Sequence, residues 1–262
     1  MSTKKKFNYI AITNSVENAR ILSECGVDQI MVDLETIGKN ERQLGRNAVI
    51  NHHDVSDVLK IKNLNLNSKL ICRVNPFYEG SFNEISLAIN NGADYIMIPM
   101  IENISAYKKI LDMISGRCKV IPLIETPYSL MKVAEIIDYF PIDQIHFGLN
   151  DLRIGFKMHN LFEILFSNFF QNVIDEVKNK VQTIGIGGIG SPLYQQQVYP
   201  ELVIKQIKCI GGNSIIMSRS FFQEGYIKKD ILEALIILDQ ALDANISDTE
   251  LSLLKVQINN LS

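Results

Sequence analysis

The stretch KVIPLIETP, Lys119 to Pro127, runs an almost unbroken apolar segment directly into an acid, a threonine and a proline. A strand with one face in water would alternate apolar and polar residues. A continuous run suits a parallel strand covered on both sides. IMVDL at 30–34 and YIMIP at 95–99 have the same character.

Working outward, strands are expected at Tyr9 to Thr13, Gln29 to Leu34, Lys69 to Val74, Tyr95 to Pro99, Lys119 to Ile124, Gln144 to Gly148, Thr183 to Gly187 and Ser214 to Ser218. Amphipathic stretches lie between them. Ser15 to Glu24 can be capped by Asn14 or Ser15, Ser81 to Asn90 stops at Gly92, and Ile104 to Ile114 stops before Gly116. ECGVDQIMVD, NNGADYIMIP and CIGGNSIIMS each put a glycine between the end of a helix and the next strand. Eight strands alternating with helices predict an α/β fold, a single (β/α)8 TIM barrel spanning residues 1–262. The segment from about 228 to 262 reads as a C-terminal helical extension, either packed on a neighbouring subunit or closing the bottom of the barrel.

Composition narrows the partners. The 262 residues are 47% hydrophobic and 21% charged, with a net charge of −3. That balance gives no electrostatic footprint for nucleic acid, and the run Lys4 to Lys6 reads as a solubilising tip. No apolar stretch is long enough to span a bilayer, and no signal peptide is recognisable, so a cytoplasmic protein with no membrane partner is expected. The four cysteines are scattered and form no zinc or redox pair.

In a barrel of this type the C-terminal ends of the strands share one mouth, so polar residues there point to chemistry. Asp33 and Glu35 end strand two, Arg73 and Asn75 end strand three, Glu125 ends strand five, and Asn150 and Asp151 end strand six. Two carboxylates on adjacent strand ends, Glu125 and Asp151, can share a hard cation. Mg²⁺ suits them best, and Mn²⁺ or Co²⁺ also fits. Taken singly, each acid could instead be a helix cap. Arg73 can polarise a keto oxygen and stabilise an enolate, or serve as a structural ion pair with Glu35 or Glu125.

These residues carry a resemblance. VDLE at 32–35, CRVNP at 72–76, PLIET at 122–126 and FGLNDL at 147–152 follow in the order and approximate spacing of the HpcH/HpaI aldolase and citrate lyase β-subunit family, in the phosphoenolpyruvate/pyruvate barrel superfamily. The resemblance implies a metal-dependent carbon–carbon lyase acting on a 2-oxo acid and an aldehyde through a pyruvate-like enolate. It implies that Glu125 and Asp151 ligate the metal and that Arg73 contacts the keto or enolate oxygen. Substrate would also meet Thr126 and the amides near Asn150 and Asp151, while Asp33 and Glu35 would hold Arg73 and solvent in place. It further implies a homo-oligomer whose C-terminal helices exchange between subunits. The aldolase branch resembles D-x-E-H, whereas here Thr36 follows Glu35. His52 and His53 can stand in for that histidine or be solvated residues of a polar segment. A citrate- or malyl-thioester lyase, or a barrel that binds 2-oxo acids without turnover, remain the other readings.

Three further features stay open. GIGGIGSP at 185–192 is a phosphate loop or a tight turn, with Arg219 as a possible phosphate partner. His146 reads as a satisfied core or rim histidine. LFEILFSNFF at 161–170 reads as core packing or a subunit contact.

Overall fold

A computed structural model describes residues 7–38 and 53–260. Its eight strands are β1 (Asn8–Ile12), β2 (Gln29–Asp33), β3 (Lys69–Arg73), β4 (Tyr95–Ile98), β5 (Lys119–Ile124), β6 (Gln144–Phe147), β7 (Thr183–Ile189) and β8 (Ser214–Met217). All pair in parallel with their neighbours in sequence, and β1 pairs with β8 to close the cylinder. The barrel and its strands therefore stand as the sequence predicts. Only the ends shift, most at β7, which runs on to Ile189 through an irregular register between Gly185 and Gly188.

The helices are α1 (Val16–Glu24), α2 (Val55–Lys62), α3 (Ser81–Asn90), α4 (Ile104–Ile114), α5 (Pro127–Met131), α6 (Val133–Tyr139), α7 (Leu149–Phe156), α8 (Asn168–Val177), α9 (Pro200–Cys209), α10 (Lys228–Ala241) and α11 (Asp248–Asn259). Of the two caps considered for α1, Ser15 is the one used, its hydroxyl accepting from the Asn18 amide. Gly26, Gly92 and Gly211 lie in the repeated helix-to-strand turns with φ of +81°, +94° and +108°, a backbone region that side chains rarely enter.

Two apolar layers result from the twofold alternation of strand side chains. One set faces out to the helices. The other fills the lumen with Ile10, Met31, Ile71, Met97, Ile121 and Leu123. Below this lies a polar layer: Asn8 Nδ2 donates to Gln29 Oε1 at 2.9 Å, and the buried amides of Gln29 and Gln144 bond reciprocally at 2.8 and 2.9 Å. Above it, the inward positions two residues beyond Met31, Ile71 and Leu123 are Asp33, Arg73 and Glu125. Thus the alternation that packs the lumen also carries these charged side chains to the mouth.

The segment after β8 divides in two. α10 packs on α9 and α1 as the eighth outer helix of the barrel, so only α11 is additional. α11 lies along α9 of its own chain, burying Leu254 and Ile258 and joining Glu250 Oε1 to Lys205 Nζ at 2.5 Å. Its later residues approach the mouth, where Gln257 Oε1 accepts from the amide of Tyr199, the residue that opens α9. α11 therefore runs up the side of the barrel and does not close its bottom. No helix among the described residues is long and apolar enough to cross a membrane.

Candidate active site

Arg73 organises the mouth. Its Nε and one terminal nitrogen donate to the two oxygens of Asp33 at 2.8 and 2.7 Å, a bidentate pair, and Nε stands 3.5 Å from Glu35 Oε2. Asp33 and Glu35 are almost fully buried. Burial opposes a charge on the guanidinium, but Asp33 first and Glu35 next outweigh it and hold Arg73 firmly protonated. Asp33 Oδ1 also accepts from the Glu35 amide at 3.2 Å, so one carboxylate orders both the arginine and the turn after β2.

Glu125 reaches the same rim from β5. Its Oε1 accepts from the Met100 amide at 2.9 Å, and Met100 adopts a left-handed φ of +47° as it makes that bond. Such a conformation is unusual for a side chain with a Cβ and marks a place where the chain accepts strain. On its other side Glu125 meets Gly148, where an added Cβ would lie 2.8 Å from the Glu125 Cβ and 2.9 Å from Oε2. Burial, then the charges of Glu35 and Asp151, push the Glu125 carboxyl well above the ordinary range, against the pull of Arg73 and the Met100 amide.

Asp151 arrives from the first turn of α7. That helix starts at Gly148 with no side-chain cap, leaving its leading backbone N–H groups without the usual side-chain acceptor. Asn150 is exposed, and its side-chain oxygen accepts from Arg153 at 3.3 Å. The structure thus brings Asp33, Glu35, Arg73, Glu125 and Asp151 to one end of the cylinder, with Glu125 and Asp151 close enough to influence ionisation. Thr126 reaches the rim too, but its hydroxyl caps α5 by accepting from the Ser129 amide at 2.9 Å and donates to Ile101 O at 2.9 Å. It holds the β5 end in place and offers no free proton.

The donor set is compatible with a hard cation. Three carboxylates crowd one another around Glu125, and a cation relieves that crowding as a proton does. No closed group of three His, Cys, Asp or Glu ligands is formed among the described residues. Two carboxylates with water and substrate oxygens completing the shell are a normal complement for Mg²⁺.

Several contributors escaped sequence reasoning. Asn75 fastens the turn after β2: its Oδ1 accepts from the amides of Thr36 and Ile37 at 2.8 and 3.0 Å, and its Nδ2 donates to Leu34 O at 3.0 Å and Glu84 Oε2 at 2.6 Å. Thr36 itself is exposed. His53 lies against β2, its Nδ1 accepting from the Asp33 amide at 2.9 Å, so it acts as an acceptor extending the β2 edge. His52 lies outside the described residues. His146 points into the barrel from β6 and donates from Nε2 to Gly187 O across 3.1 Å, while its Nδ1 is buried with no hydrogen-bond partner. Burial, with a smaller push from Arg73, lowers its pKa to about 4, so the ring is neutral. Met100 acts through its backbone and Gly148 through its lack of a side chain. Only Gly148 left a sequence signal, as the small residue in FGLND.

The largest cavity, about 740 Å³, opens at the N-terminal ends of β3 to β6, lined by Lys69, Tyr95, Lys119 and Asp143. It lies at the end of the barrel opposite the acids, the face where such folds place stability and not chemistry.

The sequence profile of HpcH/HpaI aldolase/citrate lyase matches residues 11–167. The chain belongs to the HpcH/HpaI aldolase/citrate lyase family, a family of lyases. Among solved structures, the HpcH/HpaI aldolase from Desulfitobacterium hafniense DCB-2 is similar at 12% identity and a TM-score of 0.61, over 82% of this chain and 86% of that one. A HpcH/HpaI aldolase/citrate lyase family protein from Burkholderia cenocepacia J2315 is similar at 16% identity and a TM-score of 0.63, over 91% of this chain and 94% of that one. Both likenesses concern the fold. No curated protein matches the sequence.

Proposed function

We propose that this protein is a divalent-cation-dependent carbon–carbon lyase that joins or cleaves a 2-oxo acid and an aldehyde through a pyruvate-like enolate. The observation that carries the reading is the Arg73 fork, locked by Asp33 beside the crowded carboxylates of Glu35, Glu125 and Asp151.

In the cleavage direction, the hydroxyl of a 4-hydroxy-2-oxo acid gives up its proton. The C–C bond beside it breaks, the aldehyde leaves, and the electron pair moves onto the keto oxygen as an enolate. Arg73, which Asp33 keeps from swinging, supplies positive charge where that oxyanion forms. The uncapped start of α7 supplies backbone N–H groups for the substrate carboxylate. Protonation of the enolate carbon then yields pyruvate or a homologue. Glu125 and Asp151 would hold the cation, Mg²⁺ before Mn²⁺ or Co²⁺, and when bound it supplies Lewis-acid polarisation of the keto oxygen.

The half-reaction can be followed without knowing the aldehyde. Pyruvate incubated in deuterated water with the protein and Mg²⁺ is expected to exchange its methyl protons, to stop doing so with EDTA, and to resume with excess Mg²⁺. Failure to exchange under any of the three cations would refute the proposal.

A further inference from the structure

Beside the acids lies a trough that the enolate chemistry leaves unused. Two cavities of about 410 and 390 Å³ share Asn160, Leu161 and Gln197 and so adjoin. The second begins at Asn150, next to Asp151, and is bounded by Asn260 just beyond α11. The first continues to Gly188, Gly190, Ser218 and Ser220 at the C-terminal ends of β7 and β8. The trough therefore leads from the start of α7 around the rim of the mouth.

Its chemistry is specific. The wall of the first cavity contains no Asp, Glu, Lys, Arg or His. A phosphate or carboxylate entering there would lose hydration without gaining a counter-charge. Arg219, the cation nearest in sequence to Ser218 and Ser220, is not in that wall. Instead the wall presents amides and hydroxyls. No hydrogen bond among the described residues engages the side-chain amides of Gln195, Gln196 or Gln197. The Ser218 and Ser220 hydroxyls meet only each other, at 2.9 Å. Amide and hydroxyl groups both donate and accept, as an alcohol does. Phe162 and Val198 complete the wall with apolar surface suited to C–H groups.

We infer that this trough binds the aldehyde partner and that the partner is a neutral, polyhydroxylated aldehyde of the sugar type, bearing neither phosphate nor carboxylate. Calling the occupant an aldehyde rests on the lyase reading; its neutral polyhydroxyl character rests on the trough alone.

The test uses the full chain with Mg²⁺ and pyruvate, offered erythrose, erythrose 4-phosphate or butanal. We expect kcat/KM for erythrose to exceed both others by roughly tenfold or more, the effect of one or two well-made neutral hydrogen bonds. Preference for the phosphorylated or the unsubstituted aldehyde overturns the inference. Gln197→Leu and the pair Ser218→Ala, Ser220→Ala are each expected to raise KM for erythrose roughly tenfold. Both should leave butanal addition and pyruvate proton exchange unchanged, whereas equal losses on erythrose and butanal count against the trough. Erythritol, which cannot react, should show ligand-observed NMR binding that Gln197→Leu weakens. Erythritol binding without pyruvate exchange sinks the lyase reading and leaves the trough standing, whereas exchange without erythritol binding does the reverse.

Discussion

At Arg73 the shape of the charge matters as much as its sign. A lysine would keep the cation but lose the planar fork that meets both Asp33 oxygens. Arg73→Lys should therefore lower kcat for pyruvate turnover by roughly 10²- to 10³-fold, the scale of losing a fixed oxyanion donor, with little change in KM. Steady-state kinetics separates the two constants. His146 makes a different prediction, about stability. Its pKa falls from about 6.5 in the unfolded chain to about 4 in the fold. The unfolded chain then binds the proton first, so this contribution is whole above pH 6.5 and is lost as pH falls toward 4. The loss amounts to at most about 3 kcal/mol. Glu125, whose carboxyl is raised, acts with the opposite sign, so urea unfolding of wild type against His146→Asn isolates the histidine. The variant should be less sensitive to acid over that range.

At the scale of single elements, the strands were legible because both their faces are apolar, and the site acids because they interrupt those runs at one end. Asp33, Arg73 and Glu125 share the inward parity of Met31, Ile71 and Leu123, a relation already present in the residue count. Other parts were not legible for identifiable reasons. Met100 contributes a backbone amide, which its side chain does not advertise. His53 reaches Asp33 across a gap of 20 residues, and Asn75 reaches Thr36 across 39. Thr126 carries both signals, rim position and helix cap, and its bonds show how the hydroxyl is spent. Gly148 gives the sharpest test of an element's fit. A methyl there would press on Glu125 at 2.8 Å, so Gly148→Ala should cost about 1–3 kcal/mol of stability by overpacking. Displacing Glu125 should also reduce cation-dependent exchange of pyruvate protons. Denaturant unfolding and the exchange rate, measured on the same sample, give both effects.

For the molecule as a whole, α11 decides whether the outer wall is complete. Its buried Leu254 and Ile258 meet a barrel already closed by α10, so the fold does not need α11 to form its sheet. Leu254→Ala should cost about 2–5 kcal/mol in chemical denaturation, the usual toll for emptying a buried leucine site. The variant should still show the secondary structure of a barrel by circular dichroism. The C-terminal extension was visible in the sequence as surplus helix, but its docking on α9 was not. The pairing depends on Lys205 and Glu250, 45 residues apart, and no local pattern links them.

The packed lumen also constrains the order of events. With Met31, Met97 and their neighbours stoppering the tube and paired amides sealing it underneath, the reaction chamber is blind-ended. Two fragments made there leave through one doorway in sequence, the one nearer the exit first. If cleavage runs as proposed, the sugar-like fragment departs before the pyruvate lodged beneath it. Pyruvate should then compete directly with the intact substrate, while the aldehyde inhibits in a mixed, non-competitive pattern.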